Sequence, residues 1–231
     1  MVRDSSYFSS FLVVCLALWS AAAINVRELF QGGDEHAKSL HRIDLAVNAF
    51  AAACYSGILA AWSSRNGAAR EAMISTVRYV DWMVTVPLLL LVLIRKFGEL
   101  RSTSAAATIL SSACMVACGY LAKHRANGWF CAGFLFYAAT FAFLYRAMFA
   151  RRRAMTATAQ ARAKEEKEKK KKKKRATTAT AVFAATAAVW GLYGAAFLLA
   201  PRTRNLAYNL LDLVSKAGFT VVLASPLMIW S

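Results

Sequence analysis

Asp212 and Lys216 stand four residues apart in Asn209-Leu-Leu-Asp-Leu-Val-Ser-Lys-Ala-Gly-Phe219, inside an apolar stretch long enough to cross a membrane. A helix puts the carboxylate and the amine on one face, about one turn apart. A lysine at membrane depth is costly unless it is paired, neutralised or modified. Lysine amines also form Schiff bases with carbonyl compounds. A second group of polar residues lies in Arg78-Tyr79-Val80-Asp81-Trp82-Met83-Val84-Thr85-Val86-Pro87. Arg78, Asp81 and Thr85 share a helical face there, and Trp190 and Tyr193 share one on a later segment. Intramembrane charges face the interior of a bundle and pair with one another. The economical arrangement sets Asp81 and Asp212 both toward Lys216, with Arg78 balancing the two carboxylates. A purely structural ion-pair cluster locking three helices is the competing reading. The aromatic company of Trp82, Trp190 and Tyr193 disfavours it, because such a cluster needs no flat apolar slot beside the lysine.

These residues require membrane helices to hold them. The chain has 231 residues, 58% of them hydrophobic, and a mean hydropathy of +0.41. That is too apolar for an ordinary soluble domain. Seven apolar segments are predicted at 7–26, 40–63, 72–96, 104–123, 129–150, 178–200 and 205–230. Each has about the 20 residues that a bilayer asks of a helix. No segment alternates with the period of barrel strands. The expected fold is an all-α membrane protein, a single seven-helix bundle over residues 1–231. The first segment has a rival reading as a signal peptide, with Arg3 before the apolar run and Ala21-Ala22-Ala23 as a small-residue cleavage site.

The formal net charge is +17, but residues 151–175 hold 13 Lys/Arg against 3 Glu and supply +10 of it. A basic block between apolar helices marks the cytoplasmic side. The loop at 151–177 is therefore expected in the cytoplasm, with the N-terminus outside and the C-terminus cytoplasmic. The low-complexity run from Arg162 to Arg175 reads as a solvated charge tract that fixes topology, or as a surface attracted to anionic lipids. Nucleic-acid binding would need aromatic interleaving or a motif, and neither is present. Cys15, Cys54, Cys114, Cys118 and Cys131 all lie in apolar stretches, which makes a disulfide framework or zinc site unexpected.

Two motifs are quotable: Arg78-Tyr79-x-Asp81-Trp82-x-x-Thr85-x-Pro87, and Asp212-x-x-Ser215-Lys216-x-Gly218-Phe219. With Trp190-x-x-Tyr193 and the helix count, the chain resembles the microbial rhodopsins, the seven-helix retinal proteins, over nearly its whole length. That resemblance implies a membrane photoprotein rather than an enzyme, with all-trans retinal bound to Lys216 through a Schiff base. It implies Asp81 and Asp212 as counterions, with Thr85 hydrogen-bonded to Asp81. Trp82, Met115, Trp190 and Tyr193 would line the polyene slot. Gly194 stands where many family members have proline. Homo-oligomers are common in such families, and the sequence selects no stoichiometry.

The family's outward proton pumps usually carry a second carboxylate eleven residues after the counterion, where this chain has Val92. The connection Pro201-Arg-Thr-Arg-Asn205 also has no acid to release a proton. In exchange, Asp44, Asn48 and Tyr55 make a polar ladder on one face of the second segment, a candidate ion pathway together with Arg78. Asp44 could replace the missing donor or draw cations to a pore mouth. The plain alternative leaves Asp44 at the interface with Arg42. The stretches Ile43-Asp44-Leu-Ala-Val-Asn48 and Tyr208-Asn209-x-x-Asp212 look most like the small viral rhodopsins, some of which are light-gated cation channels. The Cys and Asp that often form a channel gating pair are replaced by Val86 and Ser112. The expected order is a light-gated cation channel, then an outward proton pump, then a sensory photoreceptor.

Overall fold

In the computed structural model the described residues are 2–31, 34–64, 67–98, 102–124, 128–155 and 165–224. They form α1 (Val2–Phe30), α2 (Glu35–Ala60), α3 (Gly67–Phe97), α4 (Thr103–His124), α5 (Gly128–Met155) and α6 (Glu165–Phe197). The last span is composite: α7 (Pro201–Asp212), a π-helical turn (Leu213–Gly218) and α8 (Phe219–Leu223). Among the described residues, seven spans are long and apolar enough to cross a membrane. In lipid, a helix satisfies its own backbone hydrogen bonds, which is why this chain uses no other regular element among the described residues. The protein is an integral, multi-pass membrane protein.

Local chemistry sets the helix ends. The Asp34 carboxylate accepts the Ala37 amide at 2.6 Å and caps α2. Pro201 opens α7 at a position where its missing N–H is no loss. Pro87 sits within α3, as membrane helices tolerate. Where α3 ends against α5, a β-carbon on Gly98 would stand 2.3 Å from the Ala147 carbonyl oxygen, so no larger residue fits there without a shift. The basic tract departs from expectation. Helix α5 runs on to Met155, and α6 begins at Glu165 rather than near residue 178, so much of the tract extends helices. Residues 156–164 of the expected loop, and 225–230 of the last segment, lie outside the described residues.

The bundle has two ends. The basic end carries the α1–α2, α3–α4 and α5–α6 connections, and the amino end carries the other three. An apolar core fills the basic half, with Val47, Leu90, Val92, Ile94 and Leu144 all fully buried. A second apolar cluster joins α1, α2 and α3 in the amino half, around Phe11, Leu18, Ala51 and Ile74. Helix α1 thus belongs to the interior and also sends Tyr7, Ser10 and Asn25 into polar contacts. The outward faces carry Leu16, Leu110, Leu135 and Val221, all more than half exposed to the surroundings. Such a surface suits hydrocarbon and would be a liability in water.

Candidate functional site

The last span positions the site through one stripe. Asn205, Asn209, Asp212, Lys216 and Thr220 follow one another at steps of three and four residues, and all are buried. Helix α3 answers with Glu71, Ser75, Arg78, Trp82 and Thr85, again at steps of three and four, with Asp81 beside them. The π-helical turn encloses Lys216 itself. Wide turns of this kind recur at functional sites because they re-aim a side chain and loosen the backbone ladder.

Lys216 is 1% exposed, and its Nζ contacts Asp81 Oδ2 directly, with Asp212 Oδ1 at 3.3 Å. The two carboxylates are held very differently. Asp212 accepts hydrogen bonds from Tyr55 at 2.7 Å, Tyr193 at 2.8 Å, Trp82 at 3.0 Å and Arg78 at 3.0 Å. Asp81 has Lys216 as its hydrogen-bond donor, and its Oδ1 has no partner among the described residues. The Thr85 hydroxyl donates to the Asp81 main-chain carbonyl at 2.9 Å, not to the carboxylate. A buried ion pair is tolerable only when its remaining polar atoms are also satisfied. Asp212 meets that condition, whereas Asp81 leaves one oxygen free.

An aromatic slot opens from the lysine. It is walled almost entirely by apolar and aromatic side chains, as small-molecule sites are. Trp82, Met115, Trp190 and Tyr193 all line it together with Lys216. Trp82 and Tyr193 meet edge to face with centroids 5.1 Å apart, which fixes one wall. Gly194 lines it as well. A β-carbon there would lie 2.6 Å from Phe134 Cζ, so the glycine allows that ring to approach.

The polar ladder of α2 divides around Lys216. Tyr55 joins the carboxylate cluster, as its hydroxyl bonds Asp212 and accepts Arg78 Nη1 at 3.0 Å. Asp44 and Asn48 lie on the basic side, both fully buried. Asp44 does not pair with Arg42, which turns outward to Glu35 at 3.3 Å. Its Oδ2 accepts from Thr220 at 2.6 Å, Asn25 at 2.7 Å and Asn48 at 3.2 Å.

Several partners were not singled out from sequence. Asn209 receives Arg78 Nη2 at 2.6 Å and donates to Ser10 at 2.9 Å. Nearer the amino end, Glu71 accepts from Tyr7 at 2.9 Å and from Asn205 at 2.6 Å. Helix α3 thus sets a carboxylate beside Asn205. On the basic side, Asn25, His41 and Thr220 are the additions. The signal that could have found Asn205, Asn209 and Thr220 is the stripe on the last span, which extends in both directions beyond Asp212 and Lys216.

A seven-helix bundle with a buried, doubly paired lysine lining an aromatic slot is the architecture of a retinal photoprotein. The family model for bacteriorhodopsin-like proteins matches residues 7–228, and the chain belongs to that family. Its members bind retinal through a Schiff base to a lysine and are light-driven ion transporters or sensors rather than enzymes. Among solved structures, the viral rhodopsin OLPVRII is 22% identical with a TM-score of 0.74, over 94% of this chain and 95% of that one. The light-driven proton pump CsR of Coccomyxa subellipsoidea is 19% identical with a TM-score of 0.72, over 94% and 95%. The proton-pumping rhodopsin AR2 of the marine alga Acetabularia acetabulum is 17% identical with a TM-score of 0.72, over 94% and 92%. At these identities the likeness concerns the fold. No curated protein matches the chain.

Proposed function

We propose that this protein is a light-gated cation channel, one seven-helix retinal-binding unit with its N-terminus outside and its C-terminus in the cytoplasm. Lys216 Nζ is the point of retinal attachment, and in the present structure its ammonium stands in for the charged nitrogen of that linkage. When bound, retinal supplies visible-light absorption and an isomerisation that re-aims this nitrogen. Trp82, Met115, Trp190 and Tyr193 hold the polyene and keep water from it. Asp81 and Asp212 are the counterions. Asp212, with four hydrogen-bond donors, remains a fixed anion, and Asp81, with one, is the carboxylate free to take a proton.

The observation that carries the channel reading is a polar column along α1, α2, α3 and the last span. It runs from Glu71, Tyr7 and Asn205 through Asn209, Arg78, Tyr55 and Asp212 to Lys216, then on to Thr220, Asn48, Asp44, Asn25 and His41. Its carboxylates suit cations, and the Arg78–Asp212 pair closes it at rest. The basic tract on the cytoplasmic side fixes this orientation and attracts anionic headgroups.

A second reading, an outward proton pump, is favoured by one feature. Asp44 is a fully buried acid bonded through Thr220 toward Lys216, a place from which a proton could return to the nitrogen. Voltage-clamp recording under illumination, with the cation composition varied on each side, separates the two. A channel current reverses sign with the cation gradient. A current that stays outward across the accessible voltage range establishes the pump, and no current with a slow photocycle establishes a sensor.

A further inference from the structure

Thr220 occupies a branch point. Its Oγ1 lies 2.6 Å from Asp44 Oδ2 and 3.3 Å from the Lys216 main-chain oxygen. It also accepts the Asn48 amide at 2.8 Å. A hydroxyl carries one hydrogen, so it donates well to one acceptor at a time. At rest the shorter distance gives that hydrogen to Asp44. The Lys216 carbonyl belongs to the π-helical turn and also accepts the Phe219 N–H.

The other groups around Asp44 fix everything except this choice. The Asn25 amide nitrogen faces two acceptors, Asp44 Oδ2 at 2.7 Å and the Ala21 carbonyl at 3.2 Å. Its oxygen therefore faces His41 Nδ1 at 2.8 Å, which must carry the hydrogen. Asn48 is held by its bonds to the Asp44 main chain and to Thr220. Asn25, Asn48 and Thr220 thus converge on Oδ2, and Oδ1 is buried without a partner among the described residues. A carboxyl arranged this way can carry a proton on Oδ1 without losing any of the three bonds.

We infer that Thr220 is a positioning residue that couples the Lys216 backbone to Asp44. Displacement of the π-helical turn draws the hydroxyl from Asp44 Oδ2 to the Lys216 carbonyl, and the loss of one donor changes how firmly Asp44 holds its proton. The inference rests on Lys216 being the retinal attachment site. It requires neither the channel nor the pump reading, since the coupling concerns the state of Asp44 and not the direction of ion flow.

The test is light-minus-dark infrared spectroscopy of the retinal-reconstituted protein in lipid, comparing wild type, Asp44→Asn, Thr220→Val and Thr220→Ser. Pigment formation at the wild-type absorption maximum verifies that each variant is folded. In wild type a carboxyl C=O stretching band changes on illumination, and Asp44→Asn removes it. Thr220→Val shifts that band and slows recovery on the order of fivefold, the factor expected for one hydrogen bond. Thr220→Ser restores both. An Asp44 band that is identical in Thr220→Val, or the absence of any band that Asp44→Asn removes, overturns the inference. Voltage-clamp currents that fail to reverse would overturn the channel reading alone.

Discussion

The two halves of the interior handle polar groups in opposite ways. Toward the amino end, Arg78, Asp212, Tyr55 and Asn209 form a charged network in which one group leads to the next, and Glu71 lies beyond it, bonded to Tyr7 and Asn205. Toward the basic end, a single acid, Asp44, is held by neutral donors and packed near an apolar core that includes Val47, Val92 and Leu93. Burying an ion requires a partner of opposite charge, while burying a single acid requires only good donors. The amino half therefore resists rearrangement unless a charge moves. The basic half can change with the rotation of one hydroxyl. Light that re-aims the Lys216 nitrogen acts on both at once, because Lys216 faces Asp81 and Asp212 with its side chain and Thr220 with its carbonyl.

The comparison can be broken first at its centre. Lys216→Ala removes the shared group, and visible absorption after retinal addition should vanish completely; a coloured, covalently attached pigment in this variant would refute the assignment. Next comes the charged half. Arg78→Leu leaves Asp212 without its arginine in a site where both side chains are at most 2% exposed. The expected loss is about 3–5 kcal/mol of stability, read by denaturation in detergent. A loss near zero would mean that the amino half is not an obligate ion network.

Asp81→Asn should act on function more than on folding, because Asp81 has fewer partners than Asp212. The absorption maximum should move to the red, since one counterion charge is gone, and light-driven transport should fall. An unchanged spectrum at neutral pH would place the counterion role elsewhere. The smallest effect belongs to the basic half. Asp44→Asn should change recovery kinetics or current while leaving the absorption maximum in place, and a spectral shift would show that the two halves are less separate than described.

Much of the centre was legible in the sequence. Lys216, Asp81, Asp212 and the aromatic residues announce themselves, because charges and tryptophans in apolar segments have few cheap explanations. The seven spans follow from hydropathy alone. What stayed hidden depends on tertiary contacts. Asn25 and His41 are isolated polar residues on two elements, and nothing local distinguishes an interior asparagine from one at a membrane interface. Glu71 lies one residue outside the expected third segment, 72–96, so hydropathy alone does not place it in the bundle. Arg42 looked like a natural partner for Asp44, yet two residues along a helix turn a side chain through roughly 200° and onto another face. The π-helical turn around Lys216 left no sequence mark, and the Thr85 hydroxyl had both the carboxylate and the main-chain carbonyl of Asp81 to choose between.

The central claim is that the buried amine of Lys216 is where retinal attaches. Borohydride reduction of the reconstituted pigment, followed by peptide mass mapping, tests it most directly. The account predicts a retinyl adduct on the peptide carrying Lys216 and on no other lysine. An adduct on a different lysine, or none on a coloured protein, would contradict it.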